Sequence, residues 1–167
     1  MKRLVILTVI AAAAAVSGLN PFRSTDVAQL LPVEALTVDV YDGEVRLDGG
    51  VAKGSGKDLD TALQDMKAAA EGHVFLQTAE YVIVSNRALR LLPQVAQWQA
   101  LRPATAICVA EGDLPEAEKA AAFLQAHDPG VTLQQIHAAL LRKEPTALPV
   151  VKQTEGGLRL YGTTDDR

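Results

Sequence analysis

Apolar and polar residues change their spacing several times along this chain of 167 residues. Leu36-Thr37-Val38-Asp39-Val40 alternates, Asp42-Gly43 interrupts, and Glu44-Val45-Arg46-Leu47 alternates again. Asp-Gly between two alternating runs predicts a β-hairpin, because these residues tolerate the positive φ that a tight turn requires. Gly49–Gly56 reads as a flexible, glycine-rich lead into a helix capped by Asp58. In that helix Leu59, Ala62, Leu63, Met66 and Ala69 recur at helical spacing, and Gly72 supplies a stop. Tyr81-Val82-Ile83-Val84 is a continuous apolar run, too short for a helix and suited to a strand covered on both faces. A helical stretch over 87–101 follows, in which Pro93 starts a second segment or marks a break. Thr105–Ala110 is a second apolar strand. The block is therefore β-α-β, with a right-handed crossover if its strands lie parallel.

Beyond it, Asp113-Leu114-Pro115-Glu116 reads as a capping box with proline in the first turn. The helix it predicts sets Ala117, Ala121 and Leu124 on one side and ends near His127–Gly130. Thr132 and Gln135 form a second capping box, for a helix that turns Leu133, Ile136 and Leu140 to the core and ends at Arg142-Lys143. Leu148–Val151 reads as an edge strand, Glu155-Gly156-Gly157 as a turn and Leu158–Tyr161 as the alternating partner. The expected fold is mixed α/β: an N-terminal hairpin, a central β-α-β block with helices packed on the sheet, and a short C-terminal hairpin. It spans residues 35–162 as one domain and leaves 163–167 as a polar tail.

The first residues carry a different pattern. Met1-Lys2-Arg3 precedes the apolar run Leu4–Val16, the form of an export signal, with small residues at Ala15-Val16-Ser17 for cleavage. Counted to Leu19, the run is shorter than the roughly 20 residues of a comfortable membrane span. Residues 1–19 are thus a cleaved signal peptide or a retained N-terminal anchor, and 20–34 a linker with an apolar patch at Leu30-Leu31. Removing 1–19 takes away Lys2 and Arg3 and leaves 14 basic and 20 acidic residues, a net charge of −6. Such a body lacks the basic surface of a general nucleic-acid binder and is not drawn to anionic lipid.

Chemistry-bearing motifs are scarce. Cys108 is the single cysteine and lies within an apolar run, as a buried thiol would. Gly54-Ser55-Gly56-Lys57 fails as a phosphate loop: Val51 stands where the first glycine belongs, and Asp58 where Ser or Thr should follow the lysine. His73, His127 and His137 lie in different segments without metal-ligand spacing, and the first two sit near predicted helix ends. No nucleophile elbow or local Cys–His pair occurs. The carboxylates are scattered, and a glycosidase-like pair has a spacing that sequence does not display. Trp98 shares a face with Val95 and Leu101 and reads as a core anchor. No catalytic, cofactor-binding or metal-binding residue is expected.

The order of motifs nevertheless resembles a known family. GSGKDLDTALQDM, then VFLQTAEYVIVSNRALRLLPQVAQWQALRP, then TAICVAEGD are similar to the N-terminal domain of the Ger(x)C proteins, the C subunits of spore germinant receptors. Arg23–Gly43 resembles the family's opening, and Leu148 through Gly162 its passage into a second domain. The likeness covers most of residues 22–162 and rests on apolar patterns and glycines. Three features depart from it. Ser17-Gly18-Leu19-Asn20 lacks the lipidated cysteine, Thr78 stands where a histidine is frequent, and Asn86 where an acidic residue is common. Family members are also about twice as long.

The resemblance implies a non-enzymatic, extracytoplasmic component of the germination apparatus, without cofactor. It would act by contact with integral-membrane germinant receptor subunits at the outer face of the cytoplasmic or spore inner membrane. The competing expectation is an exported small-solute or cell-wall-binding α/β module unrelated to germination.

Overall fold

A computed structural model describes residues 29–164. The signal or anchor expected over 1–19, most of the linker and the last three residues of the tail lie outside them. The elements run β1 (Leu30–Pro32), β2 (Ala35–Tyr41), β3 (Glu44–Asp48), β4 (Lys53–Gly56), α1 (Leu59–Ala69), β5 (His73–Phe75), β6 (Tyr81–Ser85), α2 (Leu92–Ala96), β7 (Ala106–Glu111), α3 (Ala117–Ala126), α4 (Leu133–Arg142), β8 (Pro149–Thr154) and β9 (Gly157–Thr163). The architecture is mixed α/β, as the periodicities predict. Seven strands form one sheet in the order β4-β3-β2-β6-β7-β8-β9, and β1 pairs with β5 in a separate parallel ribbon.

The hairpin β2–β3 forms where expected, with Asp42 at φ 52° and Gly43 at φ 82°. Both angles are those of a turn whose twist matches the flanking strands. The apolar run Tyr81–Val84 becomes the centre of the parallel portion: β6 pairs with β2 on one side and β7 on the other, Ile83 lying between Thr37 and Cys108. Each central strand is buried on both faces. Leu36, Val38, Val82, Val84, Ile107 and Val109 meet α1, α2 and α4 on one side. Ala35, Ile83, Cys108 and Ala110 meet Ala120, Ala121 and Leu124 of α3 on the other. The small side chains on both surfaces of that second contact let α3 approach the sheet closely.

Helix ends follow local chemistry. Asp58 caps α1, its carboxylate accepting from Thr61 N–H at 2.7 Å. Thr132 and Gln135 form the reciprocal box at α4, and Lys143 closes that helix at φ 55°. Pro93 stands in the first turn of α2, which follows a 3-10 turn at Asn86–Leu91. The helical stretch stops at Ala96, short of the expected Leu101.

Several expectations are corrected. Gly54–Gly56 is no flexible lead but part of the edge strand β4, paired antiparallel with β3. Its glycines are needed because α1 lies directly on the strand. A Cβ on Gly54 would run into Ala62 O and Met66 N, and one on Gly56 would stand 2.6 Å from Ala62 N. Leu30–Pro32 is a strand rather than linker, and Val33 beside it is fully buried. The box at Asp113 does not form: Glu116 takes the N-cap position without a side-chain hydrogen bond. Pro115 disfavours helical geometry in the residue before it, which delays the helix start. Strand β8 is interior, parallel to β7 and antiparallel to β9. Pro149 is tolerated there because it is the strand's first residue. Finally, β9 reaches Thr163, and Thr164 bonds to Leu148, so the tail's first residues belong to the fold.

Candidate functional site

Helix α3 covers one face of the sheet only from β2 toward β8. Beyond it, no helix of the described residues lies above the alternate residues of β2, β3 and β4. They bound a concavity of about 540 Å³ together with the 114–116 segment that leads into α3. Strand alternation places Thr37, Asp39 and Tyr41 on this face, with Arg46 and Asp48 from β3 and Lys53 and Ser55 from β4.

Asp39 anchors the arrangement. Its carboxylate accepts from Ser85 Oγ at 2.5 Å, and from Arg87 Nε and Nη2 at 3.2 and 2.7 Å, a fork-like pairing. Burial pushes the Asp39 carboxyl up, but hydrogen bonds from Ser85, the Val40 backbone and Arg87, with the Arg87 charge, outweigh burial and hold it below its usual pKa. Ser85 Oγ also accepts from Ala88 N–H, which starts the 3-10 turn after β6. The C-terminal end of β6 and its exit turn are thereby fastened to β2.

Tyr41 is 44% exposed at the end of β2. The Arg46 guanidinium lies over its ring at 4.4 Å from the centroid, and that of Arg87 at 5.6 Å. Both are cation–π contacts that fix the ring's orientation while leaving it accessible. Farther along, Lys53 pairs with Asp48 at 2.8 Å. The face is therefore polar, of mixed charge, and held in one geometry by internal pairs.

The pairing of these groups sets their chemistry. The Asp39 carboxylate is ionised and occupied by a guanidinium, which makes it a poor proton acceptor. Ser85 is buried and its hydroxyl donates to that carboxylate, which holds it within the junction of β2 and β6. Burial drives the Cys108 thiol up to about 12, and it packs as a small apolar side chain.

The remaining candidates from sequence are dispersed. Gly54–Gly56 is engaged in the ladder with β3, and Ser55 N–H donates to Asp65 at 2.8 Å, so these amides do not form a phosphate cradle. His73 lies in β5, not at a helix end. His127 follows α3, stacked on Phe123 at 4.4 Å, with Nδ1 3.0 Å from Phe123 O. His137 lies on α4, its Nδ1 buried without a hydrogen-bond partner among the described residues. Among the described residues no group of three or more His, Cys, Asp or Glu is placed to hold a metal ion. Trp98 packs against the core and donates from Nε1 to Asp60 at 2.8 Å. Thr78 bridges Val33 and Phe75 through its hydroxyl, tying the β1–β5 ribbon to the turn before β6.

Sequence reading passed over Asp39, Tyr41, Arg46, Ser85 and Arg87 as functional residues. The alternation that puts Asp39, Tyr41 and Arg46 on one face was visible, but their lack of a covering helix depends on where α3 lies. No helix among the described residues is long and apolar enough to cross a membrane. In comparisons with family models, curated proteins and solved structures, nothing matches the chain.

Proposed function

We propose that the chain is an exported, non-enzymatic binding component that works by protein contact, as its resemblance to the C subunits of germinant receptors implies. Its contact surface is the uncovered face of β2-β3-β4. One observation carries this reading: Tyr41 stands exposed on that face with Arg46 and Arg87 guanidinium groups against its ring. Tyrosine and arginine are enriched among the residues that dominate the energetics of protein interfaces, and tyrosine buries much area with few rotamers to freeze. Here both arginines are already positioned, Arg87 by Asp39 and Arg46 by the ring, so docking orders little that is not ordered beforehand. The partners are integral-membrane subunits of a germinant receptor, met at the outer face of the cytoplasmic or spore inner membrane.

The alternative, an exported small-solute or cell-wall-binding module, draws on the 540 Å³ concavity beside the same residues. That volume falls within the usual range for a ligand pocket. Membrane fractionation separates the two. In strains with and without the receptor's integral-membrane subunits, the protein contact reading predicts membrane association only when those subunits are present. Association independent of them, or a soluble protein in both strains, overturns it.

A further inference from the structure

Across the sheet from the β2-β3-β4 concavity, the segment between α2 and β7 makes a second arrangement. After α2 the chain passes through Gln97–Pro103 in successive tight turns. Trp98 N–H donates to Val95 O at 3.2 Å, Leu101 N–H to Trp98 O at 3.1 Å, and Gln134 N–H to Pro103 O at 2.9 Å. Two hollows of about 510 and 610 Å³ open beside this segment, one toward the start of α1 and one toward the start of α4. Gln97, Trp98 and Gln99 line both. Trp98 is half-buried, and its Nε1 bond to Asp60 at 2.8 Å holds the indole in one orientation.

We propose that Trp98 and the glutamines around it bind a linear, uncharged oligosaccharide, laid across the indole with sugar residues in both hollows. A pyranose with equatorial hydroxyls turns its axial C–H groups into an apolar face and carries its polar groups around the rim. An indole matches the face, and planar amides, each both donor and acceptor, match the rim. Gln97, Gln99 and Gln134 are exposed, and no hydrogen bond among the described residues occupies their side chains. His137 lines the larger hollow beside Leu133, and its Nδ1 is buried without a partner among the described residues. No bond there fixes the ring's orientation, and such an orphaned nitrogen calls for a reason outside the packing. A few convergent polar groups around an aromatic and apolar wall are the usual make-up of a small-ligand site.

Charge narrows the class of glycan. Asp58 and Asp60 line the smaller hollow, and among the described residues no lysine or arginine lines it with them. An acidic sugar there would meet like charge. Two hollows that share one ring suit a chain of sugars better than a single one, because each further residue engages as part of a molecule already held.

Trp98 is the chain's single tryptophan, so its fluorescence reads the site directly. Cellotetraose or N-acetylated chitotetraose, titrated into the purified chain, should change that emission saturably. The corresponding single sugars should bind roughly tenfold more weakly or worse, and tetragalacturonate, of equal length but acidic, more weakly than the neutral tetramers. Gln99→Ala combined with Gln134→Ala removes two exposed amides that hold nothing in the fold. It should weaken tetramer binding roughly tenfold without moving the unfolding midpoint. Trp98→Ala also loses core packing, so the glutamine pair carries the test whether or not that variant folds. The proposal is overturned by no saturable change with either neutral tetramer, by equal affinity for single sugar and tetramer, by tetragalacturonate bound as tightly, or by wild-type affinity in the double variant. None of these results depends on receptor contact, which uses the other side of the sheet.

Discussion

Asp39 shows how much one side chain can hold. Its carboxylate links β2 to the end of β6 through Ser85 and Arg87, and its side chain is only 14% exposed. Asp39→Asn should cost about 2 kcal/mol, the usual range for losing hydrogen bonds to a charged group, measured by denaturant unfolding. The pH dependence has a fixed sign. Because the folded state lowers this carboxyl's pKa, its stabilisation is complete above the unfolded value of about 3.9 and is lost as pH falls through the lower folded value. Unfolding followed below about pH 4 should therefore show a shallower acid loss in Asp39→Asn than in the wild-type chain. His137 gives the reverse case. Its Nδ1 is buried without a partner among the described residues, so His137→Leu should leave stability unchanged or raise it by about 1 kcal/mol. A loss above that size would mean the ring makes a bond that this structure does not. Neither role was legible in the sequence. A half-buried, paired aspartate and a buried histidine nitrogen are properties of neighbours brought from distant segments, Ser85 and Arg87 lying 46 and 48 residues from Asp39.

At the scale of elements, the contact of α1 with β4 is the least forgiving. Gly54→Ala would drive a methyl group into the backbone of α1 at Ala62 and Met66. We expect a loss of about 3 kcal/mol by thermal or denaturant unfolding, with Gly156→Ala, which meets nothing, close to neutral. In the central strands, Ile83→Asp would bury an unpaired carboxylate against Ala120 and Leu124 of α3. That variant should fail to fold cooperatively, and a soluble, cooperative Ile83→Asp chain would contradict the placement of β6. Elements with a strong local signal were the ones sequence revealed: the Asp42-Gly43 turn, the Thr132–Gln135 box, the apolar runs of β6 and β7. Those it missed have a tertiary cause. Gly54–Gly56 looks like a loop because its residues lack side chains, yet they lack them so that a helix can rest on the strand. Pro149 looks like an edge marker, yet at the first position of β8 its missing N–H disturbs no ladder bond.

For the molecule as a whole, the asymmetry of the sheet decides what is on offer. Among the described residues three helices lie on one face and α3 on the other, and α3 does not reach the β2-β3-β4 end. The polar residues of that end were readable as alternating positions. Their exposure together followed only from the path of α3, which turns at Glu111–Gly112, with Gly112 at φ 88°, and runs back over the centre of the sheet. The most direct test of a contact face at this end is a binding titration of purified integral-membrane germinant receptor subunits against variants of the chain. Tyr41→Ala and Arg46→Ala should each weaken binding at least tenfold, about 1.4 kcal/mol, while Gln97→Ala, on the opposite side of the sheet, should leave it unchanged. Equal affinity for all four chains, or no binding by the wild-type chain, would contradict the account.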